Sequence, residues 1–254
     1  MEEHYIVQVQ SQVQGLVDDL KAVFTHAGLG GEAGEYKLLT QSFLYKFLND
    51  KFLYEALNID ESYDYQGLLN LSEEDYDWFL DDIGTKTAHL KPEQLIESLH
   101  RQQNQADFAE IFEQTLNQIA IDNNAIFSVH TDGGTDIRLF DQRLITDTIS
   151  DTSKRNEVAA SIINLLARVK FDQQIFSQGF DFFSTLFEYM IKDYNKDGGG
   201  KYAEYYTPHS VAKIIAAILV GNDQPSNVKI YDPSAGSGTL LMNLASQIGT
   251  DRTS

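Results

Sequence analysis

In the stretch VKIYDPSAGSGTLL, Gly236 and Gly238 stand directly after one apolar run and directly before another. Glycine lets the backbone turn sharply and approach a ligand, and the N-terminus of a following helix favours electron-rich groups. A strand, a glycine loop and a helix in this order form a candidate ligand cradle. Two ligand chemistries compete here with a tight turn that holds nothing. A phosphate-cradling loop needs Gly-Lys-Ser or Gly-Lys-Thr at its end, and Gly238-Thr239-Leu240 supplies no lysine. A dinucleotide fingerprint needs a third glycine where Leu241 stands.

A second stretch, KDYNKDGGGKYAEYYTP, satisfies a calcium-loop pattern through Asp193, Asn195, Asp197, Gly198 and Glu204. The match is formal, because Gly200 sits where such loops carry an apolar residue and no second loop accompanies it. Asp, Asn and Gly also end helices and make flexible connections, and that reading is preferred. The six histidines form no ligand spacing, and the absence of cysteine excludes thiolate sites and disulfides. No metal site is expected.

Those segments sit in a chain of 254 residues, 42% hydrophobic, long enough for one large or two modest cores. No run of about 18 apolar residues occurs and MEEHYIVQVQ lacks signal-peptide character, so a soluble, cytoplasmic protein without membrane contact is expected. A net charge of -19 argues against a stand-alone nucleic-acid binder, because phosphate contacts need Lys and Arg. Any action on DNA requires other chains to supply much of the grip.

The elements ahead of the glycine loop read as helices. Val9, Val13, Leu16, Val17, Leu20, Val23 and Phe24 recur at helical spacing from His4 to Ala27, and GLGGEAGE breaks that helix. A second helix, roughly Tyr36 to Leu57, carries Phe43, Phe47, Leu48 and Phe52, which need a deep core. Ser72 reads as the N-cap of SEEDYDWFLDD, with Trp78 and Phe79 inward and the carboxylates a solvated face. Further helices are expected over Pro92 to Gln103, Asp107 to Asp122 and Asn156 to Val169. Between them IFSVH and DIRLF flank Asp132-Gly133-Gly134, a β-hairpin pattern. Thr207 and Pro208 read as N-cap and first residue of TPHSVAKIIAAILV, and VKIYD as a buried strand.

The string Asp232-Pro233-Ser234-Ala235-Gly236-Ser237-Gly238 resembles the first cofactor motif of amino-group DNA methyltransferases, D-P-x-x-G-S/T-G after the first strand. Tyr205-Tyr206-Thr207-Pro208 resembles their other cofactor motif, commonly F-Y-T-P, in the expected order. With LFEYMIKDYN and FLYKFLNDKFLYEAL, the chain resembles the modification (M) subunit of type I restriction-modification systems. The departures, Tyr205 for Phe and Ala235 where many relatives carry Cys, keep the shape and polarity.

The resemblance implies S-adenosylmethionine as cofactor, held by Tyr206, Thr207, Pro208, Asp232, Ser234, Gly236, Ser237 and Gly238. An Asp acceptor suits the ligand's ammonium group and a Tyr ring gives an apolar wall with a polar tip. The implied reaction is N6-methylation of adenine in double-stranded DNA, which needs a flipped base held by an Asn-Pro-Pro-aromatic segment. The four prolines, at 92, 208, 225 and 233, leave no place for one, so no catalytic residue is expected in this chain. The implied architecture is mainly α: a helical N-terminal bundle over residues 1–174, with a candidate small β-hairpin, making subunit and DNA contacts. Residues 175–254 would begin an α/β Rossmann-like methyltransferase domain that stops before the catalytic motif, inactive by itself. Implied partners are a specificity (S) subunit, a second M subunit and a restriction (R) nuclease-translocase. The alternative is a non-catalytic helical assembly module with a structural glycine loop.

Overall fold

The computed structural model of the chain describes residues 2–31, 33–127, 138–171, 176, 207–221, 228–235 and 238–249. They fall into two compact units, Met1–Phe180 and Asp181–Ser254. The described residues are overwhelmingly helical, as expected.

The first unit is built around one central helix. Helix α1, Glu2–His26, buries Val9, Val13, Leu16, Val17, Leu20 and Phe24 along a single stripe. It ends where Gly28, at φ 95°, donates to Thr25 O while Leu29 donates to Phe24 O, the pairing of a left-handed helix stop. Helix α2, Ala33–Ile59, buries Leu38, Leu39, Phe43, Tyr45, Leu48, Phe52 and Ala56. These positions run most of the way round the helix, so α2 lies at the centre of its unit rather than on a face. The expected deep core for Phe43, Leu48 and Phe52 is present, whereas Phe47 is half-buried with its ring 5.7 Å from that of Phe176.

Short helices close around this centre. Asp64 caps α3, Tyr65–Leu69, by accepting from Gly67 N at 2.8 Å, and Ser72 caps α4, Glu73–Ile83, by accepting from Asp75 N at 3.2 Å. Phe79 is buried with its ring 5.8 Å from Phe52 and 5.1 Å from Tyr63. Trp78, expected inward beside it, is instead 67% exposed. Successive helical residues are rotated by about 100°, and the inward stripe of α4 is Tyr76, Phe79 and Ile83, which leaves Trp78 to solvent.

The single helix expected over Pro92 to Gln103 is two pieces, a 3-10 turn at Pro92–Gln94 and α5 at Ile96–Gln102, separated by extended Leu95. Tertiary bonds hold the break open. Tyr45 Oη donates to Gln94 O at 2.6 Å, and Ile96 N donates to Asn49 Oδ1 at 2.9 Å. Helices α6, Phe108–Asp122, α7, Asn124–Phe127, α8, Leu144–Thr148, and α9, Arg155–Arg168, follow in the same unit. The expected β-hairpin is not supported at its entry: Ile126 and Phe127 close α7, because Asn123 O receives the amides of both. Its turn, Asp132-Gly133-Gly134, lies outside the described residues.

In the second unit α10, His209–Val220, packs against α11, Thr239–Ile248. Ala212 and Ala216 are buried, small residues that let a helix approach its neighbour closely. Pro208 takes the N-cap position itself, with its carbonyl accepting from Val211 N and Ala212 N, and Thr207 precedes it without capping. The expected buried strand VKIYD shows only a single bridge at Val228, and Tyr231 is 86% exposed. No flanking pair of strands covers it among the described residues, and a strand is buried on two faces only when layers cover both. No helix among the described residues is long and apolar enough to cross a membrane.

At the heart of the first unit, Lys46 Nζ meets Asp50 Oδ1 at 3.0 Å and Oδ2 at 2.9 Å, both side chains almost fully enclosed. Burial, helped by the like charge of Lys170, holds the Lys46 pKa below its ordinary value despite the opposing pull of the Asp50 carboxylate. Asp50→Ala leaves that ammonium buried without a counter-charge, and we expect it to cost about 3–5 kcal/mol. Replacing both partners together, as Lys46→Met with Asp50→Leu, removes the stranded ammonium but leaves Phe171 N and Asn49 Nδ2 without their acceptor, so it should recover only part of the loss in urea unfolding.

Candidate functional site

The glycine segment is shaped from its first residue onward. Asp232, half-buried, accepts through Oδ1 from Ser234 N at 2.8 Å, so its carboxylate folds back over Pro233 and fixes the turn. Gly238 N donates to Ala235 O at 2.7 Å, closing the segment on itself. Gly238 then takes φ 75° and ψ 6°, a left-handed conformation that only glycine adopts without strain, and is the N-cap of α11. Nothing lies within 4 Å of the point where a side chain would begin. Glycine is required there by its backbone angle, and the space beside it is open.

The electrostatics follow from the helix it opens. A glycine N-cap brings no side-chain acceptor to the first turn of α11, and that turn carries no acidic residue. The end of the helix therefore keeps its partial positive charge towards the loop. Asp232, six positions earlier in the chain than Gly238, spends one lone pair of one oxygen on Ser234 N. A carboxylate accepts at about four positions, so the group retains capacity for an ammonium or hydroxyl donor. A negative acceptor and a helix N-terminus in one short segment suit a zwitterionic ligand.

Of the residues expected to hold a cofactor, Asp232 and Ser234 are brought together by their own hydrogen bond, and Gly238 sits at the helix entrance. Thr207, half-buried, and Pro208, exposed, lie immediately before α10, the helix that packs on α11. Tyr206, Gly236 and Ser237 lie outside the described residues, as does the calcium-like loop from Asp193 to Glu204. No group of three metal-ligating side chains converges among the described residues.

The sequence reasoning passed over one feature, the buried polar pair Thr239 and Asn243. Asn243 Nδ2 donates to Thr239 O at 2.8 Å within α11. Two polar residues spaced i, i+4 within the apolar first two turns of the helix, TLLMNLA, were the available signal.

Three comparisons with known proteins bear on this chain. Residues 178–254 match the N-6 DNA methylase family. A methylase subunit of the type I restriction enzyme MpnII from Mycoplasma pneumoniae is 30% identical over 74 residues, which are 29% of this chain and 13% of that protein. The crystal structure of a type I restriction-modification methyltransferase subunit from Streptococcus thermophilus superposes with a TM-score of 0.66 at 21% identity, over 96% of this chain and 51% of that one. The chain thus spans about half of the solved relative and a small part of the curated one. The expected resemblance to a type I modification subunit is borne out, and the solved relative shows that the fold is shared.

The loop geometry carries a direct prediction. Gly238→Ala meets no steric obstacle, so its whole cost is the left-handed backbone, about 1–2 kcal/mol. Faster hydrogen exchange at Met242, whose amide donates to Gly238 O at 2.9 Å, should report it, with Gly238→Asn affected less.

Proposed function

We propose that this chain is the modification subunit, or part of it, of a type I restriction-modification system, serving S-adenosylmethionine-dependent N6-methylation of adenine in double-stranded DNA. The observation that supports this reading most is the segment from Asp232 to Gly238, which combines a carboxylate acceptor with a glycine-capped helix N-terminus whose first turn carries no acid, within the residues matching the N-6 DNA methylase family. S-adenosylmethionine carries an ammonium and a carboxylate on its methionine part. Asp232 would take the first, and the start of α11 would favour the second.

In this reading the residues form one pocket wall: Asp232, Ser234, Gly236, Ser237 and Gly238 from the loop, and Tyr206, Thr207 and Pro208 from the segment before α10. Residues 175–254 begin the methyltransferase domain and residues 1–174 form the helical domain that contacts DNA and partner subunits. The bound cofactor supplies the methyl group, and this chain's residues orient it. Partner chains would be a specificity subunit, a second modification subunit and a restriction subunit, acting in the cytoplasm.

Titration calorimetry with S-adenosylmethionine, on the chain by itself and with its specificity subunit, tests the assignment. We expect saturable binding that Asp232→Ala or Gly238→Val weakens about tenfold or more, the loss of one charge-assisted contact or one backbone approach. Binding indifferent to both substitutions would remove the loop from the site. An absence of binding in both settings would favour a helical assembly module whose glycine loop is structural.

A further inference from the structure

Helix α4 presents a surface that the methyltransferase reading does not use. Trp78 is the only tryptophan in the chain and is 67% exposed on this helix. Its four helical neighbours, at i−4, i−3, i+3 and i+4, are Glu74, Asp75, Asp81 and Asp82, all exposed. No ion pair engages any of the four among the described residues, and the only side-chain bond they receive is from Ser72 Oγ to Asp75, at 2.6 Å. A large indole thus stands inside a ring of uncompensated negative charge.

Local stability accounts for only half of that ring. Glu74 and Asp75 lie in the first turn, where acids complement the helix dipole. Asp81 and Asp82 lie in the last turn, where acids oppose it and where no basic residue compensates. Asp77 adds like-charge pairs with Glu73 and Asp81 at i, i+4, each unfavourable by a few tenths of a kcal/mol. The indole is not needed by the fold either, since Tyr76, Phe79 and Ile83 already bury the inner stripe. Local choices that work against the helix point to a function of the surface.

We propose that Trp78 and its acidic ring dock an arginine-bearing segment of another protein chain. A guanidinium stacks on an indole face and pairs with carboxylates around it, so the ring supplies what this one side chain needs. Aromatic anchors of this size dominate protein interfaces. Duplex DNA and anionic lipid carry the wrong sign for six carboxylates on one short helix, Glu73, Glu74, Asp75, Asp77, Asp81 and Asp82. Arginine fits better than lysine because its planar group is more weakly hydrated and both stacks and pairs.

The lone tryptophan makes the test direct, because fluorescence excited selectively in tryptophan, apart from the 13 tyrosines, reports from this site only. A short synthetic peptide of alternating arginine and glycine is titrated into the full chain, beside the same peptide with neutral citrulline in place of arginine. We expect a saturable change in Trp78 emission with the arginine peptide and none with citrulline. Asp81→Asn with Asp82→Asn should weaken binding about tenfold, whereas the charge-matched pair Glu110→Gln with Glu157→Gln, on exposed positions of α6 and α9, should leave it within about twofold. Calorimetry should show Trp78→Ala binding weakened and Trp78→Phe largely retained. An unsaturable response, equal weakening by both double substitutions, or a stronger response to duplex DNA or anionic vesicles would overturn the proposal.

Discussion

The helical unit depends on the buried pairing of Lys46 with Asp50 more than on any one apolar contact. An ammonium and a carboxylate enclosed together attract strongly but lose their hydration, so they stay only when their remaining polar capacity is filled. Asp50 also accepts from Asn49 Nδ2 at 2.8 Å and from Phe171 N at 3.0 Å, and Asn49 Oδ1 accepts from Ile96 N. One turn earlier, Tyr45 Oη reaches Gln94 O, and burial raises the Tyr45 pKa well above its ordinary value, keeping the hydroxyl a donor. Consecutive side chains of α2 therefore fix the entrance of α5 and the end of the segment after α9. Apolar contacts fill the space around this polar line, and directional bonds decide where the chain breaks.

This explains which parts of the fold could be read from the sequence. The periodicity of Val9 through Phe24 gave α1 and its buried stripe, and Ser72 gave the cap of α4, because spacing and capping are local properties. The break at Leu95 was invisible, since it rests on Tyr45 and Asn49, more than forty positions away in sequence but bonded at Gln94 and Ile96. Trp78 was misjudged for a related reason. Adjacent apolar residues cannot share one helix face, and choosing between Trp78 and Phe79 required knowing that Phe52 and Tyr63 wait on the Phe79 side. Ile126 and Phe127 suit strands by type, yet two amides bonded to Asn123 O settle them in a helical turn.

The glycine segment was the most legible part of the candidate site, for a physical reason. A left-handed residue at a helix entrance demands glycine whatever surrounds it, and an Asp two positions before an amide folds its carboxylate onto it without tertiary help. Such short-range geometry is written into residue types. The strand before the loop was less legible, because burial of VKIYD is a property of the layers on either side and not of its letters. Tyr231 shows the difference, an aromatic in a β-rich run that is almost wholly exposed.

Charge ties the two units to one principle. With 38 acids against 19 basic residues, the chain repels a phosphate backbone over any surface where its carboxylates dominate. The same excess is favourable in two places: at Asp232, where a cationic amino group would be received, and around Trp78, where a guanidinium would be. Both pair an acid with a second, geometric element, a helix N-terminus in one case and an indole face in the other. Diffuse negative charge gives no selectivity by itself, and it is the second element that turns repulsion of one partner into recognition of another.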